Sequence, residues 1–229
     1  MHPEDDWVLI AVAMDVGGIS ACKRFYDEVD PSYVTLVDAP NALGEALDFK
    51  LVPNGFAIDE AGVLQFKKLG GFEIRRDADL QAMKDFLARP AVSGPGIEAG
   101  ESDEDRIARL KRELSNAPGN HELRFELGRL LMRQGKTTDA FPHLRDASEA
   151  MPKHAQAQFA FGTLLLELGH KYSALREFRE ALALDRDNYL YRKQIWAVEY
   201  PERCHPEIDW AWQSEQMRKE RAAEGGGTQ

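Results

Sequence analysis

Cysteine, long apolar runs and dense clusters of basic residues are all scarce in this 229-residue chain. Its two cysteines, Cys22 and Cys204, lie far apart and form no Cys-x-x-Cys pair, which excludes a disulfide framework and suits a reducing compartment. No apolar stretch approaches the length that a membrane span needs, and the acidic start MHPEDDW is unlike a secretion signal. As it stands, the sequence predicts a cytoplasmic protein without a membrane segment.

The charge and the histidines exclude two further classes of function. The formal net charge is -10 and no Lys/Arg-dense stripe offsets it, which argues against binding nucleic acid by neutralising phosphates. The six histidines include no pair at metal-ligand spacing with supporting Cys or acids, so we expect no metal site. Gly17-Gly18 lacks the Gly-Lys-Ser/Thr ending of a phosphate loop and predicts a turn. We expect no cofactor.

The most specific feature that is present is a repeat of 34 residues between His121 and Asn188. Five of the six key positions of the first copy recur in register in the second. The matching pairs are Gly128 and Gly162, Leu131 and Leu165, Ala140 and Ala174, Leu144 and Phe178, and Ala147 and Ala181, whereas Pro152 is matched by Arg186. The small residues let two antiparallel helices cross closely, and the large ones fill the space beside them.

This period and pattern resemble the tetratricopeptide repeat (TPR) family, and the resemblance implies a scaffold that binds protein or peptide segments. The all-α module is predicted at 106–217, with a partial leading helix at 106–117, repeats at 121–154 and 155–188, and capping helices at 189–217. A peptide-binding groove is expected on the first helix of each pair, formed by Phe125, Arg129, Met132, Arg133, Phe159, Thr163 and Lys193. Alternatively, the repeats pack on the preceding domain as a rigid annex.

The first 89 residues alternate between strand and helix patterns. The apolar run from Trp7 to Met14 predicts a buried parallel strand, and the helical spacing of apolar residues from Ile19 to Val29 predicts a crossover helix. Further strands are predicted at 34–37, 55–59 and 63–69, the last two as a hairpin, with helices at 41–49 and 77–88. The order strand, helix, strand, helix, hairpin, helix predicts an α/β domain.

Several motifs in this half resemble, in order, the later part of a thioredoxin-fold domain of the TlpA/ResA and redoxin kind. They are VLIAVAMD, then TLVDAPNALGEALDFKLVPNGFAIDEAG, then a glycine and a closing helix. The resemblance implies a cis proline at Val52-Pro53, facing a redox motif and lining the groove that receives the partner's cysteine. The resulting fold class is α/β plus all-α: an incomplete thioredoxin-like domain at 1–89, a linker at 90–105, the TPR module, and a disordered tail at 218–229.

The redox motif of that family is missing from this chain. It needs Cys-x-x-Cys at a helix N-terminus, on a strand and helix that precede the run starting at Trp7, where only six residues stand. Either the chain is an N-terminally truncated redoxin, for instance through a gene start placed after a selenocysteine codon, or it is a natural remnant kept as a scaffold. If the missing segment exists and carries a secretion signal, the cytoplasmic prediction fails.

Three functions therefore stay open. The first is a redoxin-family thiol-disulfide oxidoreductase whose TPR module positions a partner, although this chain without Cys-x-x-Cys should have no dithiol reductase activity. The second is a non-catalytic TPR adaptor whose thioredoxin-like half is structural. The third is a one-cysteine peroxidase that uses Cys22 as a lone thiol, but the helical core spacing around Cys22 favours a buried structural cysteine.

Overall fold

The computed structural model describes residues 7–73, 75–90, 101–204 and 208–225, and helices dominate it. The elements in chain order are β1 (Ile10–Ala13), α1 (Gly18–Val29), β2 (Val34–Val37), α2 (Ala42–Ala46), β3 (Gly55–Ile58), β4 (Leu64–Lys68), α3 (Asp77–Leu87), α4 (Asp103–Asn116), α5 (His121–Arg133), α6 (Thr137–Ala150), α7 (Ala155–Glu167), α8 (Lys171–Leu184), α9 (Tyr189–Glu199), α10 (Pro201–Cys204) and α11 (Trp210–Gly225). The linker segment 91–100 lies outside the described residues.

The helices of the C-terminal half repeat with the period that the sequence predicts. Helices α5, α7 and α9 begin at residues 121, 155 and 189, and α4, α6 and α8 begin at 103, 137 and 171, so that successive members differ by 34 residues. Helix α4 therefore occupies the second-helix position of an incomplete leading repeat. The helical hairpins predicted from the spacing are confirmed.

The hairpins begin and end with capping groups at the same interval. The side chains of Asn120, His154 and Asn188 each accept a hydrogen bond from the third backbone N–H of the helix that follows. Gly135 and Gly169 close the first helix of each hairpin at φ of 69° and 81°, a left-handed conformation that glycine adopts without a steric penalty. Each repeat is thus delimited by its own sequence.

Close helix crossings explain the glycines of the repeat. A Cβ on Gly128 would lie 2.7 Å from Cγ of Leu144, and a Cβ on Gly162 would lie 2.7 Å from Cδ1 of Phe178. Leu144 and Phe178 are both fully buried, and they belong to one apolar core that runs from α4 to α9. This core stabilises the helical half largely from its own side chains.

The four strands of the described residues form two separate two-stranded sheets instead of the single thioredoxin-like sheet that the resemblance implies. Strands β1 and β2 pair in parallel, with Val12 opposite Leu36, and β3 and β4 form an antiparallel hairpin. The carboxylate of Asp59 accepts hydrogen bonds from the N–H groups of Ala61 and Val63 and so forms the predicted turn. Within the described residues, β1 and β3 each pair along one edge only, and this leaves the two sheets unjoined.

The α/β half buries few apolar side chains. Among its described residues these are Met14, Val16, Phe49 and Ala57. By contrast, Ile10, Leu36 and Ile58 are each at least half exposed, and α1 contains no buried residue. The predicted burial of Trp7 to Met14 is therefore reached only at Met14. Because a parallel pair of strands normally needs cover on both faces, this half depends on other surfaces for its stability.

The C-terminal end differs from the predicted disordered tail. Helix α11 continues to Gly225, so the described part of that tail is helical. Good helix formers occupy it, Glu215 pairs with Arg218 and Lys219, and Glu220 pairs with the buried Arg192 of α9. Trp212 lies against Trp196 at a centroid distance of 5.5 Å, and this aromatic contact covers the last repeat as the predicted cap would.

Candidate binding groove on the inner face of the repeats

The candidate site is the inner face of the repeats, which we define by Phe125 and Arg129 of α5, Phe159 of α7, and Tyr191 and Gln194 of α9. The chain's own α/β half lies against this face. Its main contribution is residues 41–50, which we call the α2 segment because they contain helix α2. The groove predicted for other polypeptides is thus partly covered within the same chain.

Arg129 makes the central polar contact between the two halves. Its guanidinium forms an ion pair with the carboxylate of Glu45 and lies 5.3 Å from the centre of the Phe125 ring. The Glu45 side chain is only 11% exposed. Burial outweighs the attraction of Arg129 and raises the pKa of Glu45 to about 7. The charge of Asp38, just before α2, also raises the pKa of Glu45. Burial, and after it the charge of Glu45, raises the pKa of Tyr191 on α9.

A second set of contacts holds the end of the α2 segment on α9. The backbone N–H of Leu190 donates to the carbonyl oxygen of Lys50 at 3.0 Å, and Nζ of Lys50 lies 2.8 Å from a carboxylate oxygen of Asp185. Leu190 is buried together with Met14 and Phe49 in a small apolar cluster separate from the main core. Charged, backbone and apolar contacts therefore all fix this segment.

Gln194 joins α9 to the end of β1. Its Nε2 donates to the carbonyl oxygen of Met14 at 3.0 Å, and its Oε1 accepts from the N–H of Val16 at 3.1 Å. Gln194 is 3% exposed, and Val16 is part of the main helical core. One buried amide thus satisfies two backbone groups of the residues that follow β1.

A cavity of about 310 Å³ remains between the α2 segment and the repeats. Its lining is mostly polar, with Glu45, Lys50, His154 and Tyr191 among the residues around it. Asn41 also lines it and is 4% exposed, yet its Oδ1 has no hydrogen-bond partner among the described residues. The contact between the two halves is therefore incompletely packed and incompletely hydrogen-bonded.

The residues predicted for the groove fall into three groups. Phe125, Met132, Phe159 and Thr163 are buried, with Phe159 stacked on Tyr191 at 4.4 Å and the Thr163 hydroxyl bonded to its own helix. Arg129 faces the α2 segment. Arg133 pairs instead with Asp103 of α4, and Lys193 is half-buried on α9. The structure brings Phe125 and Arg129 together at the contact with Glu45, whereas Arg133 lies at the contact between α5 and α4.

The residues implied by the redoxin resemblance lie beside this contact. The Val52-Pro53 peptide bond is cis, Val52 packs against the cluster of Met14 and Phe49, and Pro53 is exposed. Cys22 is half-buried, less than its predicted structural role requires, and Cys204 is buried. Burial raises the pKa of both thiols, Asp15 adds to the effect, and Lys193 opposes it.

In the described part of the chain, no group of three or more His, Cys, Asp or Glu side chains is placed to hold a metal ion. No helix there is long and apolar enough to cross a membrane.

Sequence reasoning missed Glu45, Lys50, Leu190 and Gln194. Leu190 and Gln194 stand on the first helix of the third helical unit, 34 residues after Gln156 and Ala160 of the second repeat, so extending the repeat by one more period would have found them. Nothing local distinguishes Glu45 or Lys50, because their roles depend on partners far away in the sequence.

No protein-family model matches this chain, and neither does any curated protein. Among solved structures, a crystal structure of MamA is 20% identical, with 54% of this chain and 63% of that chain covered and a TM-score of 0.41. MamA 41-end from Desulfovibrio magneticus RS-1 is 16% identical, with 56% and 69% covered and a TM-score of 0.44. MamA from AMB-1 is 27% identical, with 46% and 62% covered and a TM-score of 0.41. This chain spans less than two thirds of the first of these structures, and at such TM-scores the likeness adds nothing to the chain's own repeats.

Proposed function

We propose that this protein is a non-catalytic adaptor, in which TPR-type hairpins bind polypeptide segments on their inner face and the α/β half is structural. The observation that carries the proposal is the α2 segment itself, a polypeptide held on that face through Arg129, Leu190 and Asp185. A surface that holds one segment by side-chain pairing and a backbone hydrogen bond has the chemistry to hold others.

The cysteines support a non-catalytic role for the chain as it stands. A dithiol reductase needs a thiolate whose pKa is lowered, usually at a helix N-terminus within Cys-x-x-Cys. The sequence contains no such pair, and burial raises the pKa of both Cys22 and Cys204. Neither thiol therefore has the electrostatic surroundings of an attacking sulfur.

The experiment is a selection of peptides from a random displayed library on the full chain, followed by affinity measurements on variants. We expect selected peptides to lose at least about tenfold in affinity with Arg129→Glu or Lys193→Glu, which is about 1.4 kcal/mol. Lys171→Glu is the matched control for the change of charge, because Lys171 is exposed on the outer helix α8. An empty selection, or peptides that bind the inner-face variants as well as wild type, would refute the proposal.

A second candidate function, thiol-disulfide exchange, is favoured by the open edges of β1 and β3 in the described α/β half. We propose that a further strand pairs with both edges and brings a redox motif with it, which would cover exposed side chains such as Ile10 and Ile58. Reading the DNA upstream of Met1 tests this. A strand pattern followed by Cys or a stop codon, two residues and Cys is expected, and unrelated sequence contradicts it.

A further inference from the structure

We infer that the α2 segment is an internal ligand of the inner face, and that a partner displaces it with a segment carrying an acid four residues before a large apolar side chain. This inference rests on the proposed function. It adds the chemistry of the partner and makes the groove self-occluded.

The spacing of acid and apolar residue follows from the positions of the α2 segment's side chains on the inner face. Glu45 meets Arg129 of α5, and Phe49, four residues later, joins the apolar cluster around Leu190 of α9. The carbonyl oxygen of the next residue, Lys50, accepts a hydrogen bond from the N–H of Leu190, and its ammonium group pairs with Asp185. A partner that reproduces this order of acid, apolar group and backbone acceptor fits the same three positions.

Three observations indicate that the internal ligand can be displaced. Burial of Glu45 is only partly compensated by Arg129, as the raised pKa of its carboxyl group shows. Oδ1 of Asn41 is buried and accepts no hydrogen bond from the part of the chain that the structure describes. The cavity of about 310 Å³ leaves the two surfaces incompletely packed. The segment nevertheless occupies the face because it is tethered, and tethering supplies an effective concentration on the order of millimolar.

The two halves also differ in how much buried apolar surface they expose if the contact between them opens. The helical half has its own core, to which the α/β half contributes Val16, whereas Met14 and Phe49 are buried at the contact. Opening therefore uncovers the α2 segment while the repeats keep their packing.

The test uses the full-length chain and a fluorescent peptide with the sequence of residues 41–53, NALGEALDFKLVP. Hydrogen exchange of residues 41–50 reports release of the internal segment, and fluorescence anisotropy reports binding of the peptide. The variants are Glu45→Arg, Arg129→Glu and the double swap. Glu180→Arg, on the exposed side of α8, is the control for a change of charge.

In Glu45→Arg we expect faster exchange over 41–50 and at least about tenfold tighter peptide binding than wild type, because the tethered competitor is released. Arg129→Glu also exposes the segment, but it binds only a peptide in which the acid is replaced by Arg. The double swap regains slow exchange, which excludes misfolding as the cause of the single-variant effects.

Unchanged exchange or unchanged affinity in Glu45→Arg would overturn the inference, as would equal binding of the original peptide by Arg129→Glu. Failure here is distinguishable from failure of the proposed function. If library peptides need the inner face but bind wild type and Glu45→Arg equally, the proposed adaptor function is supported and the internal-ligand inference is refuted.

Discussion

Replacing Gly162 by alanine tests the close helix crossing on which the repeat depends. In a helix, alanine is favoured over glycine by about 1 kcal/mol, so an unhindered site would gain stability. Here the added Cβ would lie 2.7 Å from Cδ1 of Phe178 and 3.2 Å from the backbone oxygen of Ala174. The backbone atom cannot turn aside as a side chain can, so we place the overpacking cost near the upper end of about 1–3 kcal/mol.

The expected result is a net loss of about 1–2 kcal/mol in the free energy of unfolding, measured by urea titration with circular dichroism. Gly119→Ala is the control, because nothing lies within 4 Å of a Cβ at that position. A double-mutant cycle with Phe178→Leu should recover part of the loss, since the smaller side chain relieves the clash. A Gly162→Ala protein as stable as wild type would refute the close-crossing argument.

Three further predictions concern the contact between the halves and the thiols. The pKa of Glu45 is about 7 when the α2 segment is docked and 4.5 ordinarily, so docking is favoured while the carboxyl group is protonated. Hydrogen-exchange protection of residues 41–50, corrected for intrinsic rates, should therefore fall as pH rises from 4.5 to 7 in wild type but not in Glu45→Gln. Gln194→Leu should cost about 1–3 kcal/mol for each of the two backbone groups it leaves unpaired, and should speed exchange at residues 14–16; unchanged exchange there would contradict this role. The chain should show no insulin reduction and no peroxide turnover, and Cys22→Ser should change neither; turnover lost in that variant would revive the lone-thiol reading.

The helical half could be predicted from sequence because its determinants are local and repeated. The matched positions Gly128 and Gly162, together with the large residues they face, set the hairpins, and the Ser102 side chain caps α4 by accepting a hydrogen bond from the N–H of Asp105. The end of the chain was the exception. The prediction of a disordered tail at 218–229 follows the general behaviour of chain termini, but this stretch contains good helix formers, and α11 continues to Gly225 with Glu220 paired to Arg192.

In the α/β half, sequence patterns predict the local elements but not how they pair over long range. Its strands and helices appear near the predicted positions, because alternation and apolar runs fix local structure. Whether strands join into one sheet depends on long-range pairing, and the pairing of Glu45 with Arg129 could not be read from either local sequence. The sequence therefore left open whether the groove receives another polypeptide or packs on the preceding domain, and the structure shows Arg129 engaged within the chain.

The distribution of buried side chains has a consequence for how the protein is made. The ribosome releases the N-terminal half first, yet Met14 and Phe49 share an apolar cluster with Leu190, which emerges much later. Until then, these two side chains lack the apolar cover that α9 provides. The later helices must therefore form before the contact that buries them can close, and chaperones have that interval in which to bind the exposed segment.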